Sequence, residues 1–90
     1  MNQLYIHKDA EKAFQKAPKR IQKKIYACLG YLIEKGTKEL IFPVKHLQGD
    51  FKKFEYMEIK IDRDYRIIFR KKKELIFIRD AGTHNSLRTS

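Results

Sequence analysis

Apolar and polar residues alternate through the second half of the chain, and that alternation predicts strands. In the segment from Glu55 to Ile61, Met57, Ile59 and Ile61 share one side, and Tyr65, Ile67 and Phe69 repeat the same period of two. Matching the two apolar sets places Ile61 opposite Tyr65 and Ile59 opposite Ile67. Asp62, Arg63 and Asp64 are then left as a three-residue turn, with Asp64 in a left-handed position that Asp tolerates. The same rule around Lys71, Lys72 and Lys73 pairs Phe69 with Leu75 and Ile67 with Phe77, which predicts a third antiparallel strand closed by a turn of equal length.

The first half changes period. Leu4 to His7 forms a short candidate strand, followed by Asp9 as a helix cap and Glu11 in the first turn. Ala10, Ala13, Phe14 and Ala17 fall on one helical face, and Pro18 either interrupts that helix or opens the next at its first position. Ile21, Ile25, Cys28, Leu29, Leu32 and Ile33 then form an apolar stripe at helical spacing, with Gly36 as its stop. Between Thr37 and Phe54 the periodicity fails. Phe42-Pro43, His46 and Gly49-Asp50 mark a loop of roughly 15 residues, a length that is uncommon without a function. The expectation is one domain over residues 1–90, α+β, in the order βααβββ, with a helical hairpin packed on one face of a mainly antiparallel twisted sheet.

Charge sharpens this picture. The 90 residues carry 21 Lys and Arg against 11 Asp and Glu, a formal net charge of +10. Such a field attracts polyanions, whether nucleic acid, an anionic membrane surface or an acidic protein. The 42% hydrophobic content argues against disorder. Cys28 is the one cysteine, lies on the apolar side of its helix and is expected to be a small core residue. No apolar run suits a signal peptide or a membrane span, so a soluble cytoplasmic protein without membrane association is expected.

The predicted strands also gather chemistry. On the face away from the apolar set, Lys60 lies beside Arg66 and Arg66 beside Ile78, with Gly82-Thr83-His84 just past the end of the third strand. Arg66, Lys60 and His84 then converge within roughly 10 Å, and an anion is the natural third party for two like charges set side by side. Ile68, Ile76 and Ile78 fall on the same face and need a cover, from the long loop, the C-terminal tail or a second protein.

The histidines at 7, 46 and 84 show no metal-site spacing, and no Gly-rich phosphate loop or nucleophile elbow is present, so neither metal nor cofactor is expected. An acid-base site on a basic surface remains. Cleaving RNA that way needs a base for the 2′-OH, a cation for the phosphorane and an acid for the leaving 5′-oxygen. Histidine suits either proton role. His84 is the better placed; His46 lies in the loop between Lys45 and Lys52-Lys53. Glu58 is on the open face, where Lys60 neutralises it, and Asp64 serves the turn. Tyr65 packs in the core, whereas Tyr56 on the open side is free to stack on a base.

Three stretches resemble a known family: Lys45-His46-Leu47-Gln48-Gly49, Asp64-Tyr65-Arg66-Ile67-Ile68-Phe69, and Gly82-Thr83-His84-Asn85-Ser86-Leu87. Together with the element order, they resemble the RelE/ParE superfamily of bacterial and archaeal type II toxins, closest in motif to its YafQ-like branch. The resemblance implies a ribosome-dependent mRNA endonuclease, or mRNA interferase, cutting in the ribosomal A site without a metal. It also implies a cognate antitoxin as partner, in a toxin-antitoxin hetero-oligomer, with the ribosome and mRNA as targets.

Position by position, His84 matches the terminal histidine taken as general acid, His46 the histidine before Leu-Gln-Gly, and Arg66 the arginine that related toxins direct at phosphate. Asp64 falls on the aspartate that precedes the branch's tryptophan, a position held here by Tyr65. Glu58 stands where the branch carries a histidine on its first long strand, and is placed to act as base instead. Arg88 replaces a terminal aromatic. Lys45, Lys52, Lys53, Lys60, Arg79 and Arg88 are the residues expected to hold RNA backbone. Two alternatives stay open: a ParE-like toxin that inhibits DNA gyrase without cutting RNA, and a basic nucleic-acid-binding module whose catalysis has lapsed.

Overall fold

The structure is a computed structural model that describes residues 2–38, 40–47 and 55–87, with His84 and Asn85 described by their backbone. Its strands are β1 (Gln3–Ile6), β2 (Val44–His46), β3 (Met57–Asp62), β4 (Tyr65–Lys72) and β5 (Leu75–Thr83). Its helices are α1 (Lys8–Lys16), α2 (Lys19–Lys35) and a single turn α3 (His84–Leu87). The strands form one sheet in the order β1-β5-β4-β3-β2, antiparallel except where β1 joins β5. The α+β class and the helical hairpin on one face follow the hydrophobic pattern; β2 is an additional strand within the stretch expected to be loop. The Gly49-Asp50 signal, Lys52, Lys53 and Arg88 lie outside the described residues.

The core lies between the hairpin and one face of the sheet. Ala10 and Phe14 of α1 and Ile21, Ile25, Cys28, Leu29 and Leu32 of α2 pack on Ile59, Ile61, Tyr65, Ile67, Phe69, Ile76, Ile78 and Ala81. Burial pushes the Cys28 thiol up to about 12, so it is an inert apolar filler at neutral pH. Pro18 separates the helices. It forces Ala17 into extended backbone, ψ 149°, and it stands one position before the first residue of α2 as its cap. The Gln22 amide reaches back to donate to the carbonyls of Phe14 (2.9 Å) and Gln15 (3.2 Å), satisfying the end of α1. At the start of α1 the cap is His7, whose Nδ1 accepts from the Asp9 amide at 3.0 Å, and not Asp9 as the residue type suggested.

Gly36 ends α2 with φ 69° and ψ −150°, a conformation nearly closed to residues with a side chain. A Cβ there would also meet Asn2 Nδ2 at 3.0 Å. Gly36→Ala is therefore expected to lower stability by about 1–3 kcal/mol, read as a drop in the urea midpoint without a change in slope.

Both hairpins correct the expected register. At the first, Ile59 faces Ile67 and Lys60 faces Arg66 as expected, but Asp62 and not Ile61 faces Tyr65. Ile61 is the extra residue of a bulge and remains in the core, the turn shortens to Arg63-Asp64, and Asp64 has no left-handed backbone. At the second, the strands run on through Lys71 and Lys72, so Lys72 faces Leu75 and Phe69 faces Ile78, with Lys73 left-handed in the turn at φ 57°. A second bulge at Arg79 then lets Ala81 face Ile67 and Gly82 face Arg66. Ile76 and Ile78 therefore lie in the helix-side core and need no other cover, whereas Ile68 is buried on the opposite face.

The first bulge turns Asp62 toward α2, where Lys24 (2.8 Å) and Arg20 (3.0 Å) clasp its carboxylate. Hydrogen bonds from Lys24 and then Arg20 lower its pKa from 3.8 to about 2. Because the folded value is the lower one, this contribution is fully present above the unfolded pKa and is lost as pH falls from about 4 toward about 2. Asp62→Asn is expected to lower stability only modestly at neutral pH, where an exposed pair contributes little, and to flatten the acid limb of a stability-pH curve across that window by the same small amount.

Candidate active site

β2 brings the first cation to the open face of the sheet. Lys45 faces Glu58 of β3, Glu58 faces Ile68 of β4, and one step along Lys60 faces Arg66. The Glu58 side chain is 3% exposed, and its Oε1 lies 3.3 Å from Lys45 Nζ and 3.4 Å from Arg66 Nε. Its other oxygen, Oε2, is buried and finds no hydrogen-bond partner among the described residues. An unsatisfied carboxylate oxygen in a low-dielectric setting is costly, and such exceptions concentrate where chemistry is done.

Arg66 is fixed from behind. Its Nη1 donates to the carbonyls of Asp62 (3.1 Å) and Arg63 (3.2 Å), so the short turn after β3 positions the guanidinium. Pro43, Val44, Lys45, Glu58, Lys60 and Arg66 border a depression of about 220 Å³. The anion expected between Lys60 and Arg66 is thus partly supplied by the protein, from Glu58. Lys60 was expected to neutralise Glu58; Lys45 and Arg66 do so instead.

The chain past Arg66 is built to fold back. Gly82, opposite Arg66, has φ 155°, and a Cβ on it would lie 2.5 Å from Ser86 Oγ. Thr83 caps the turn that follows: its Oγ1 accepts from the Ser86 amide (3.1 Å), and Ser86 Oγ donates to the Thr83 carbonyl (3.0 Å). These contacts give the Gly-Thr-x-x-Ser spacing its physical reason. His84 opens α3 immediately after the Thr83 that faces Tyr65, which places its backbone at the Arg66 end of the sheet.

The remaining candidates lie apart from Glu58. Alternation along β2 puts His46 on the face opposite Lys45, where it borders a depression with Met57 and Lys71. Asp64 is exposed in the β3-β4 turn. Arg79 reaches Asp9 Oδ2 at 3.3 Å and His7 Nδ1 at 3.4 Å, tying β5 to the start of α1. Tyr65 is a core residue as expected, and burial, then the nearby Asp80 charge, pushes its phenol up to about 12, too high for proton transfer at neutral pH. Sequence reasoning missed Arg70, whose guanidinium lies 5.6 Å from the ring centres of both Tyr56 and Phe77, because the expected register set Phe77 beside Ile67.

No family model and no curated protein matches the chain. Solved structures do. YafQ from E. coli strain BL21(DE3) superposes with a TM-score of 0.80 at 21% identity, covering 97% of this chain and 98% of that one. The chain has the RelE/YafQ fold. The E. coli DinJ-YafQ toxin-antitoxin complex matches at 0.77 with 21% identity, covering 96% of each chain. The RelB-RelE antitoxin-toxin complex from Methanococcus jannaschii matches at 0.77 with 19% identity, over 92% of this chain and 93% of that one. On this RelE/YafQ fold, with four residues in five different, the Lys45-Glu58-Arg66 cluster is a property of this chain's own side chains. Among the described residues, no helix is long and apolar enough to cross a membrane.

Proposed function

We propose that this chain is a YafQ-like toxin of the RelE superfamily, the toxin of a type II toxin-antitoxin pair, and that it cleaves mRNA in the A site of the translating ribosome in the cytoplasm. The observation that carries this reading is the Glu58 carboxylate, buried between Lys45 and Arg66 on the open face of a RelE/YafQ fold. Lys45 is 60% exposed and long enough to move onto a phosphate, and that movement frees the carboxylate oxygen it holds, Oε1. Glu58 Oε1, freed of Lys45, takes the 2′-OH proton, the 2′-oxygen attacks phosphorus, and Arg66 and Lys60 stabilise the phosphorane. His84 protonates the departing 5′-oxygen, leaving a 2′,3′-cyclic phosphate and a 5′-hydroxyl. All three tasks fall to side chains, so the scheme calls on no metal or cofactor. Asp64 and His46, which lie apart from Glu58, are given no part in proton transfer.

A cognate antitoxin fits the same reading, since two of the three structures named above are toxin-antitoxin complexes. One observation favours the lapsed-module alternative: Arg66 Nη1 is already occupied by two backbone carbonyls. Mapping transcript ends in translating cells that express the chain or its His84→Ala variant separates the readings. Codon-phased cuts that vanish in the variant are expected. Intact mRNA with gyrase-dependent DNA damage would instead support a ParE-like toxin, and intact mRNA with no growth effect would support the module.

A further inference from the structure

At the end of the open face away from Arg66, four side chains on adjacent strands form a continuous row. The register sets Tyr5 beside Phe77 and Phe77 beside Arg70, and Tyr56, just before the Met57 that faces Phe69, flanks Arg70 on its other side. The Tyr5 ring lies flat on Phe77, with centroids 5.2 Å apart and planes 10° from parallel. The Arg70 guanidinium is held 5.6 Å from the centroids of both Phe77 and Tyr56. Three rings and one planar cation therefore line up across the sheet, each fixed by its neighbours. Tyr5 nevertheless remains 57% exposed, and Arg70 is exposed. Beside the row, Glu55, Arg70, Lys71, Lys72, Leu75 and Phe77 border a depression of about 360 Å³.

We infer that this row is a stacking platform for a base of single-stranded RNA. The inference deepens the RNA-cleavage reading and rests on it for the identity of the strand. Aromatic faces and guanidinium planes stack on any base, so such a surface holds a strand without reading its sequence strongly. The surroundings suit nucleic acid: Lys71 and Lys72 border the depression with Arg70 and Glu55, and Lys73 follows in the turn with Glu74. The row and Arg66 lie on the same face of β4, four residues or about 13 Å apart. A base seated on Tyr5 or Arg70 thus fixes the strand at a set distance from the linkage held by Arg66, which makes the platform a determinant of where the cut falls.

The test is fluorescence anisotropy of the full chain with two short labelled 2′-O-methyl strands, an oligoadenylate and one of equal length that is abasic throughout. Neither strand has the 2′-OH that the proposed cleavage needs, so binding is read independently of catalysis. The wild-type chain is expected to prefer the oligoadenylate. Tyr5→Ala and Arg70→Lys are each expected to lose about tenfold in affinity for it, with the abasic strand bound as before and the circular dichroism unchanged. Arg70→Lys keeps the charge, so its loss reports the stacking plane. Equal wild-type affinity for the two strands overturns the inference, as does a Tyr5→Ala chain that keeps its base preference, including one that keeps it while binding purified antitoxin more weakly. A chain that prefers bases yet cuts no mRNA overturns the cleavage reading and leaves the platform standing.

Discussion

Glu58→Gln is expected to slow cleavage of ribosome-bound mRNA by about 100- to 10,000-fold, the usual contribution of a positioned general base. Glutamine keeps the volume and an acceptor oxygen but cannot take the 2′-OH proton. The change leaves little else disturbed. Lys45 is 60% exposed and returns to water, while Arg66 keeps its two carbonyl partners. RNA binding should be unchanged or slightly tighter, since one negative charge leaves a site that faces phosphate. Single-turnover cleavage of a programmed ribosome, with affinity measured separately, checks the split between the two effects. A glutamine variant that cuts at the wild-type rate removes Glu58 from the mechanism and returns the base to His46 or Asp64.

The elements with long, regular periods were legible in the sequence. The α2 stripe needs five buried positions over seventeen residues, and these show plainly as a helical face. The alternation through Met57, Ile59, Tyr65, Ile67 and Phe69 likewise identifies the core face of the sheet. Register was less legible, because a bulge adds a residue without changing the residue types around it. The extra residues at Ile61 and Arg79 are what bring Asp62 to α2 and Gly82 to Arg66. In the second hairpin the residue types point to a turn that begins too early, since Lys71 and Lys72 look like turn residues and are in fact the end of β4.

β2 escaped notice for a simpler reason: three residues are too few to show an alternation, and Val44 to His46 sit in a stretch without period. That strand carries Lys45 to Glu58, so the shorter of the two ion pairs to Glu58 is hidden with it. The pairing of Lys60 with Arg66 was legible and pointed to an anion at this place, but alternation cannot say that the protein supplies one itself. His7 in place of Asp9 at the α1 cap is a smaller case of the same kind, where neighbouring residues both offer an acceptor and backbone geometry decides.

Arg66→Ala is expected to combine a loss of activity with a loss of stability, and the two are separable. Removing one member of a buried ion pair costs about 3–5 kcal/mol when the other is left uncompensated. Glu58 is 3% exposed, but Lys45 remains beside it, so a cost near the lower end, about 3 kcal/mol, is expected. If that cost comes from a stranded carboxylate, neutralising the carboxylate relieves it. The double variant Arg66→Ala with Glu58→Gln should therefore be more stable than Arg66→Ala alone, an inversion of ordinary additivity that a double-mutant cycle in urea reads directly. Arg66→Lys should restore much of the stability and little of the activity, because an ammonium keeps the charge but loses the fork that reaches Glu58 and the turn carbonyls together. A double variant no more stable than the single one would show that Arg66 acts through packing and the turn alone, with Glu58 carrying no dependence on its charge.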